Sequence, residues 1–202
     1  MSIQVILFDV GGVIVKWKDK WLYNEVAKKF GLSEVLLADE GKKELPNLRL
    51  GKISEPEMWQ RIGKKIHSKE LSNIKGSLIH DIFKARTSID DSIFVIIKQL
   101  QKKNIKIGIL SNTTLVTHSV VEKLIDMSYF DYHFLSYRIG WEKPDERIFE
   151  YVTDQSPYSK EEILFIDDKL SNVNAAKEFG IKAIHFTDTT QFITDLNSLE
   201  IL

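Results

Sequence analysis

The stretch from Ile3 to Val15 constrains the fold more than any other part of the chain. A mostly apolar run over residues 3–8 leads directly to Asp9, and two glycines, Gly11 and Gly12, follow within three residues. A short run of this kind, rich in β-branched residues, predicts a buried strand of a parallel sheet. Open α/β sheets bind ligands at the carboxyl ends of such strands. The stretch therefore predicts either a site at Asp9, which the flexible glycine backbone approaches closely, or an ordinary strand and turn.

The second half of the chain alternates between predicted strands and predicted helices. Short apolar runs predict strands over residues 105–110, 132–136, 163–166 and 182–186. Apolar residues at helical spacing predict helices over residues 93–103, 115–127, 145–153, 171–179 and 190–196. This alternation predicts an α/β fold with a doubly wound parallel sheet.

Residues 16–87 interrupt the alternation, because they show only helical periodicity. They predict helices over 19–30 and from Ser54 to about Ile66, a short helical run after Ser33, and an amphipathic stretch over 71–86. We therefore expect a core formed by residues 1–15 and 88–202 and an inserted helical cap formed by residues 16–87. The two connections, at about residues 15–18 and 87–91, can act as hinges.

Composition argues against several classes of protein. With 43% apolar and 28% charged residues the chain is typical of a soluble globular protein, and no run reaches the roughly 18 apolar residues of a membrane span. The N-terminus lacks the pattern of a secretory signal peptide. The absence of cysteine excludes disulfides and thiolate chemistry, and it fits a cytoplasmic protein. A net charge of −1 argues against nucleic-acid binding by the whole chain.

The charge is unevenly distributed along the chain. Residues 16–87 carry 16 Lys/Arg and 10 Asp/Glu, a net charge of +6, and the remainder carries −7. A basic cap beside an acidic core suits an anionic small substrate that is brought to a metal. Alternatively, the uneven charge only reflects ordinary helix faces exposed to solvent. Trp17 and Trp21, where the chain enters the cap, either line a substrate pocket or pack at the hinge.

Polar side chains follow three of the predicted strands. Asp9 follows the first, Ser111 follows the second, and Asp167 with Asp168 ends a later one. Because the carboxyl ends of parallel strands share one edge of the sheet, we expect these groups to meet. Carboxylates from two strands suit a hard cation such as Mg²⁺, which keeps coordination positions for water and a substrate phosphate.

Two further groups complement this expected metal site. Lys143, in a loop before a predicted helix, brings a positive charge, and Ser111 with nearby backbone N–H groups can hold phosphate oxygens. Asp9 can then serve as a metal ligand, as a nucleophile or as both.

In these motifs the chain resembles the haloacid dehalogenase superfamily. The resemblance covers the whole length and rests on four motifs in order: FDVGGV at 8–13, LSN at 110–112, the lysine of GWEKPD at 143, and FIDD at 165–168. The pattern DDKLSNVNAAKEFG over 167–180 and a helical cap after the first motif are also similar to the family. The resemblance implies a hydrolase with this fold, in a phosphatase branch similar to sugar-phosphate phosphatases.

The resemblance also implies roles for the matched residues. Asp9 would be the nucleophile that forms an aspartyl-phosphate, and Lys143 would stabilise the charge on the nucleophile and the phosphate. Ser111 would bind the transferred phosphoryl group, with Asn112 and Gly12 as further substrate-binding residues. The ligands of Mg²⁺ would be Asp9, the backbone carbonyl of Gly11, and, directly or through water, Asp167 and Asp168.

Gly11 is the one departure from the family pattern. Family phosphatases usually carry a general acid–base aspartate at this position, two residues after the nucleophile, although some members resembling sugar-phosphate phosphatases share the glycine. General acid–base help is worth about 10²- to 10⁴-fold in rate. The chain is therefore expected to prefer phosphates with good leaving groups, such as anomeric sugar phosphates or aryl phosphates, unless water or a cap residue substitutes.

Three functions remain open at this stage. The leading prediction is a Mg²⁺-dependent hydrolase of a small phosphorylated metabolite, with no nucleic-acid or membrane partner. The second is a metal-independent hydrolase that uses the same aspartate on a carbon centre, as haloacid dehalogenases do, although the Asp167–Asp168 pair argues against it. The third is a catalytically weak phosphate-binding protein that lost turnover through Gly11.

Overall fold

A parallel sheet lies at the centre of the computed structural model, which describes residues 2–202. The strands are β1 (Val5–Phe8), β2 (Val15–Lys16), β3 (Ser88–Ile89), β4 (Lys106–Ser111), β5 (Tyr132–Leu135), β6 (Ile163–Asp167) and β7 (Lys182–His185). The helices are α1 (Asp19–Phe30), α2 (Glu34–Arg49), α3 (Glu55–Lys65), α4 (Lys69–Ser72), α5 (Leu78–Arg86), α6 (Asp91–Lys102), α7 (Leu115–Leu124), α8 (Ser136–Ile139), α9 (Glu146–Gln155), α10 (Leu170–Phe179) and α11 (Thr189–Ser198). Short 3₁₀ turns cover Met127–Tyr129 and Lys160–Glu162.

The main sheet has the strand order β5-β4-β1-β6-β7, and every neighbouring pair is parallel. Phe8, the last residue of β1, pairs with Ile109 on one side and with Ile166 on the other. This register brings the carboxyl ends of β1, β4 and β6 to one edge. The predicted α/β fold with a doubly wound parallel sheet is confirmed.

Helices cover both faces of this sheet, as the alternating side chains of β1 require. Ile6 and Phe8 point into one apolar cluster, where the Phe8 ring meets the edge of Phe192 from α11 at a centroid distance of 5.9 Å. Val5 and Leu7 point into a second cluster. Because both faces of β1 are buried, its apolar run is continuous, and this explains why the strand was visible in the sequence.

The segment between β2 and β3, residues 17–87, is called the helical insert below. It differs from the sequence prediction in two helices. The run after Ser33 is not short: α2 has 16 residues, because Ser33 caps its start and Pro46 is accommodated inside the helix. The amphipathic stretch over 71–86 is not continuous, because Ser68 caps α4 and Ser77 caps α5, each accepting a backbone N–H with its side chain.

The two connections of the insert pair with each other, although the sequence predicted only helices from residue 16 to residue 87. Val15 and Lys16 of β2 pair antiparallel with Ile89 and Ser88 of β3. The assignment of residues 16–87 to a cap domain, separate from a core, stays a prediction.

Two smaller boundaries also differ. The helix predicted over 115–127 ends at Leu124, because the Asp126 side chain accepts from Ser128 N and starts a 3₁₀ turn. The strand predicted over 132–136 ends at Leu135, and Ser136 begins α8 instead. Within residues 2–202 we find no helix with the length and apolar character needed to cross a membrane.

Candidate functional site

The turn after β1 places Asp9 at the carboxyl edge of the sheet. The backbone N–H of Asp9 donates to the Ile166 carbonyl at 2.8 Å, which continues the pairing of β1 with β6 by one residue. Gly12 then adopts φ +95°, a conformation that favours glycine, and its N–H closes a tight turn on the Val15 carbonyl at 2.7 Å. Asp9 is therefore held by backbone hydrogen bonds on a rigid part of the fold.

The two glycines of this turn have different surroundings. A Cβ on Gly12 would lie 2.3 to 2.9 Å from the carboxylate atoms of Asp168, so only glycine lets that side chain come so close. A Cβ on Gly11 would meet no atom within 4 Å. Gly12 thus lets the turn lie against the Asp168 carboxylate, whereas Gly11 leaves space beside Asp9 for a side chain.

Lys143 connects the carboxylates of two strands. Its Nζ donates to Asp9 Oδ1 at 3.0 Å, to Asp167 Oδ2 at 2.7 Å and to the Leu110 carbonyl at 2.5 Å. The side chain is almost fully buried. An ammonium has three N–H donors, and each has an acceptor here, so Lys143 is fixed in place beside Asp9.

Asn112 holds the backbone of Lys143. Its Oδ1 accepts from Lys143 N at 2.8 Å, and its Nδ2 donates to the Lys143 carbonyl at 2.6 Å. The side-chain oxygen and nitrogen of Asn112 are thus both engaged within the protein. The predicted role of Asn112 as a substrate ligand stays a prediction, for which its backbone N–H is available. Ser111 is buried and lines the cleft beside Asp9.

Asp9, Asp167 and Asp168 form an acidic cluster that can hold a metal ion. One oxygen from each lies within 4.8 Å of the others. Asp167 is already saturated: Oδ1 accepts from Lys169 N and Asn172 Nδ2, and Oδ2 accepts from Lys143 and Asn172. Asp168 Oδ1 is buried and has no hydrogen-bond partner. An orphaned carboxylate oxygen beside Asp9 fits a divalent cation with oxygen ligands.

The charges in this cluster perturb each other. Burial raises the pKa of Asp9 to about 6, although the Lys143 ammonium acts in the opposite direction. Burial and the adjacent Asp167 carboxylate raise the pKa of Asp168. Burial opposes the charge on Lys143, but Asp9 and Asp167 outweigh it and raise the pKa of the ammonium. The carboxylates thus carry more negative charge than one lysine balances, which is the electrostatic condition of a cation site.

A cleft of about 370 Å³ opens over these groups. The sheet edge contributes side chains or backbone from Asp9, Gly11, Ser111, Asn112, Lys143 and Asp168. The structure therefore brings all these predicted site residues to one cleft, while Gly12 and Asp167 lie directly behind its wall. The insert contributes Trp17, Lys18, Asp19, Leu22, Leu45, Arg49, Ile79 and Phe83.

An ion pair of the insert faces the cleft. Arg49 from α2 donates to Asp19 Oδ2 at 2.8 Å, and the indole N–H of Trp17 donates to Asp19 Oδ1 at 3.0 Å. Burial disfavours the charged form of Asp19, but Arg49 outweighs it and holds the pKa of this carboxyl below its usual range. The two partners are 30 residues apart, and no local pattern connects them.

Two residues that position the site were also not predicted from the sequence. Asn172 of α10 holds both oxygens of Asp167, and its spacing of five residues after Asp167 was a usable clue. Ser136, which is fully buried, accepts from Thr113 N at 3.0 Å and contacts the Arg49 carbonyl at 2.8 Å. Ser136 thus connects the loop after β4 to the insert. Ser136 and Arg49 are 87 residues apart in the chain, and no sequence pattern indicated their contact.

Comparison with known proteins gives a consistent result. Residues 6–186 match the sequence model of a family described as haloacid dehalogenase-like hydrolase. The chain is 26% identical over 206 residues to the sesquiterpene phosphatase astK of Aspergillus oryzae, a match that covers 98% of this chain and 97% of that protein. A shorter match, 39% identical over 54 residues, is to a D-ribitol-5-phosphate phosphatase of Bacteroides thetaiotaomicron; it covers 27% of this chain and 26% of that protein.

Solved structures share the fold. A HAD family enzyme from Bacteroides thetaiotaomicron, solved as a magnesium complex, superposes with a TM-score of 0.79 at 22% identity, covering 96% of this chain and 99% of that one. At this identity the likeness concerns the fold alone. Two further curated relatives are longer proteins, and the chain spans 34% and 39% of their lengths.

Proposed function

The chain belongs to the haloacid dehalogenase-like hydrolase family, and from this premise we propose that it is a Mg²⁺-dependent phosphomonoester hydrolase. Its substrate is a small phosphorylated metabolite, and the reaction passes through an aspartyl-phosphate on Asp9. One observation carries the proposal: the Asp9 carboxylate lies at the end of a buried strand, bonded to Lys143 and beside the carboxylates of Asp167 and Asp168.

The geometry around Asp9 supports its role as the nucleophile. Lys143 is bonded to Oδ1, which leaves Oδ2 to attack phosphorus. The bond from phosphorus to the ester oxygen breaks, and the alkoxide leaves with the electron pair and takes a proton from water. Water then attacks phosphorus in the aspartyl-phosphate, releases inorganic phosphate and regenerates Asp9. During both steps Lys143 stabilises negative charge, and the Ser111 hydroxyl with the N–H of Asn112 holds phosphate oxygens.

The residues of the acidic cluster fit Mg²⁺, but they would have different roles toward it. Asp168, with its unpartnered oxygen, Asp9 and the carbonyl of Gly11 would hold the ion directly. Asp167 is saturated by hydrogen bonds and would act by orienting Lys143. When bound there, the ion would neutralise part of the negative charge of the phosphate.

The names of the relatives support phosphate-ester chemistry and differ in the organic group. One relative is named for a sesquiterpene substrate and the other for a sugar-alcohol phosphate, in line with the sugar-phosphate resemblance of the motifs. We also propose that residues 16–87 act as a cap that moves on the paired connections β2 and β3 and excludes water during turnover.

Phosphate release from a panel of esters, with Mg²⁺ or with excess chelator, tests this function. The panel contains p-nitrophenyl phosphate, sugar phosphates and alkyl phosphates, and a 2-haloacid serves as the control substrate. The proposal predicts phosphate release that disappears in chelator and returns with Mg²⁺. Halide release without metal would instead support carbon-centre hydrolysis, and binding of phosphate without any turnover would support a catalytically weak protein.

A further inference from the structure

The cleft wall contributed by the insert is mainly apolar. Leu22, Leu45, Ile79 and Phe83 present hydrocarbon to the cavity. Trp17 completes this surface, because its ring lies 4.7 Å from the Phe83 ring between centroids. Three different parts of the insert thus place large apolar side chains on one side of a cavity whose other side holds the reacting carboxylate.

Asp19 is the one side-chain acceptor that the insert places on the cleft, and it is already paired with two neighbours. Both carboxylate oxygens of Asp19 accept hydrogen bonds, one from Arg49 and one from the Trp17 indole. The Thr117 hydroxyl, which also faces the cleft, is engaged with Thr113 and Thr114 at the start of α7. Apart from the remaining lone pairs of Asp19, the insert therefore offers no side-chain acceptor for the hydroxyl groups of a bound molecule.

The two exposed cations at the cleft serve the phosphate rather than the organic group. Lys18 and Lys169 line the cleft and are exposed, so they attract a phosphate dianion to its mouth. They donate hydrogen bonds and accept none. A polyol bound here would place hydroxyl groups against Leu22, Leu45 and Ile79, where they lose their water and gain no replacement.

From this arrangement we propose that the enzyme hydrolyses phosphate monoesters of apolar alcohols or phenols in preference to those of polyols. The proposal rests on the phosphatase function proposed above and assigns its substrate class. The organic group lies on the apolar wall formed by Trp17, Leu22, Leu45, Ile79 and Phe83, and the Asp19–Arg49 pair limits how far it extends into the insert.

The test is competition by two matched esters against the hydrolysis of p-nitrophenyl phosphate with Mg²⁺. Cyclohexylmethyl phosphate and glucose 6-phosphate both carry phosphate on a primary alcohol next to a six-membered ring, and they differ mainly in polarity. We expect the inhibition constant of the apolar ester to be lower by at least about tenfold. Competition also reports the preference if either ester is hydrolysed slowly or not at all.

A pair of variants in α2 tests whether the apolar wall causes the preference. Leu45→Asn places an amide on the cleft wall and should reduce the ratio of the two inhibition constants by about tenfold. Leu36→Asn makes the same change at an exposed position of the same helix and should leave the ratio unchanged. Thermal unfolding of both variants establishes that they fold, and the wild-type ratio stands as the test if Leu45→Asn does not.

The outcomes separate this inference from the function on which it rests. If p-nitrophenyl phosphate is not hydrolysed, the phosphatase function is wrong. If it is hydrolysed and glucose 6-phosphate binds as tightly as the apolar ester or more tightly, the substrate class is overturned while the phosphatase function stands.

Discussion

The two sides of the cleft are built in different ways. On the sheet edge, Asp9, Lys143 and Asp167 are joined by hydrogen bonds of 2.7 to 3.0 Å and follow directly from strand ends or from a loop fixed by Asn112. On the insert, apolar side chains and one ion pair come from helices that are held by packing and by a few hydrogen bonds between residues distant in sequence. The comparison teaches that the sheet sets the positions of the proposed reacting groups, whereas the insert sets the shape and polarity of the rest of the cleft.

The largest expected effect separates two aspartates of the same cleft. Asp9→Asn on the sheet edge should lower kcat by about 10⁴- to 10⁶-fold, as removal of a residue from a catalytic machinery does. Asp19→Asn on the insert should change KM and substrate preference while kcat falls less than about tenfold. Steady-state kinetics with p-nitrophenyl phosphate measures both, and exposed Asp39→Asn is the matched control. Equal losses for Asp9→Asn and Asp19→Asn would remove the distinction between the two sides.

A second effect concerns the open space at position 11. Gly11→Asp should raise kcat/KM for simple alkyl phosphates by up to about 10²- to 10⁴-fold and raise it less for aryl phosphates, because an added acid helps poor leaving groups most. The structure has space for the Cβ. The measurement is kcat/KM across a leaving-group series for both proteins. A flat dependence in the wild-type enzyme would show that another group, on the insert or in water, already supplies the acid.

Asp167, the last residue of β6, and Asp168, which follows it, should have different roles. Asp168→Asn should weaken Mg²⁺ binding by at least about tenfold and leave the stability of the metal-free protein unchanged or higher, since its buried oxygen has no partner. Asp167→Asn should lower the free energy of unfolding by about 3 kcal/mol, because it breaks a buried ion pair with Lys143. Calorimetric Mg²⁺ titration and denaturant unfolding measure the two quantities. The assignment fails if both variants show the same profile.

The smallest expected effect concerns Ser136, which contacts both the loop after β4 and the insert. Ser136→Ala leaves the partly buried Thr113 N–H and Arg49 carbonyl without this partner, so the free energy of unfolding should fall by about 1 kcal/mol. KM should rise a few-fold, because the insert loses a contact with the loop after Ser111. Ser119→Ala, which removes a hydroxyl bonded only within α7, is the control. An unchanged KM would show that this contact does not help to place the insert.

The sheet edge was predictable because its clues are local. The apolar strands, Asp9 with its glycines, and the Asp167–Asp168 pair each lie within a few residues, and parallel topology places the strand ends together. The predicted ends of the core helices lie within three residues of the observed ones, and Asp126, which starts a 3₁₀ turn, explains why α7 ends early.

The insert was less predictable, because its details depend on contacts distant in sequence. The pairing of β2 with β3 joins residues more than 70 positions apart, and the Asp19–Arg49 pair joins two helices. The length of α2 and the break between α4 and α5 depend on serine caps whose side-chain geometry the periodicity does not show. The sequence therefore predicted that the insert is helical and basic, and among the insert side chains on the cleft it indicated little more than Trp17, as one of two alternatives.

The stereochemical course at phosphorus tests the central claim most directly. A thiophosphate monoester made chiral with ¹⁸O is hydrolysed by the Mg²⁺-loaded enzyme in ¹⁷O-water, and the configuration of the released thiophosphate is determined. Attack by Asp9 and then by water each invert phosphorus, so the account predicts net retention. Net inversion would mean that water attacks the ester directly, and it would contradict Asp9 as the nucleophile.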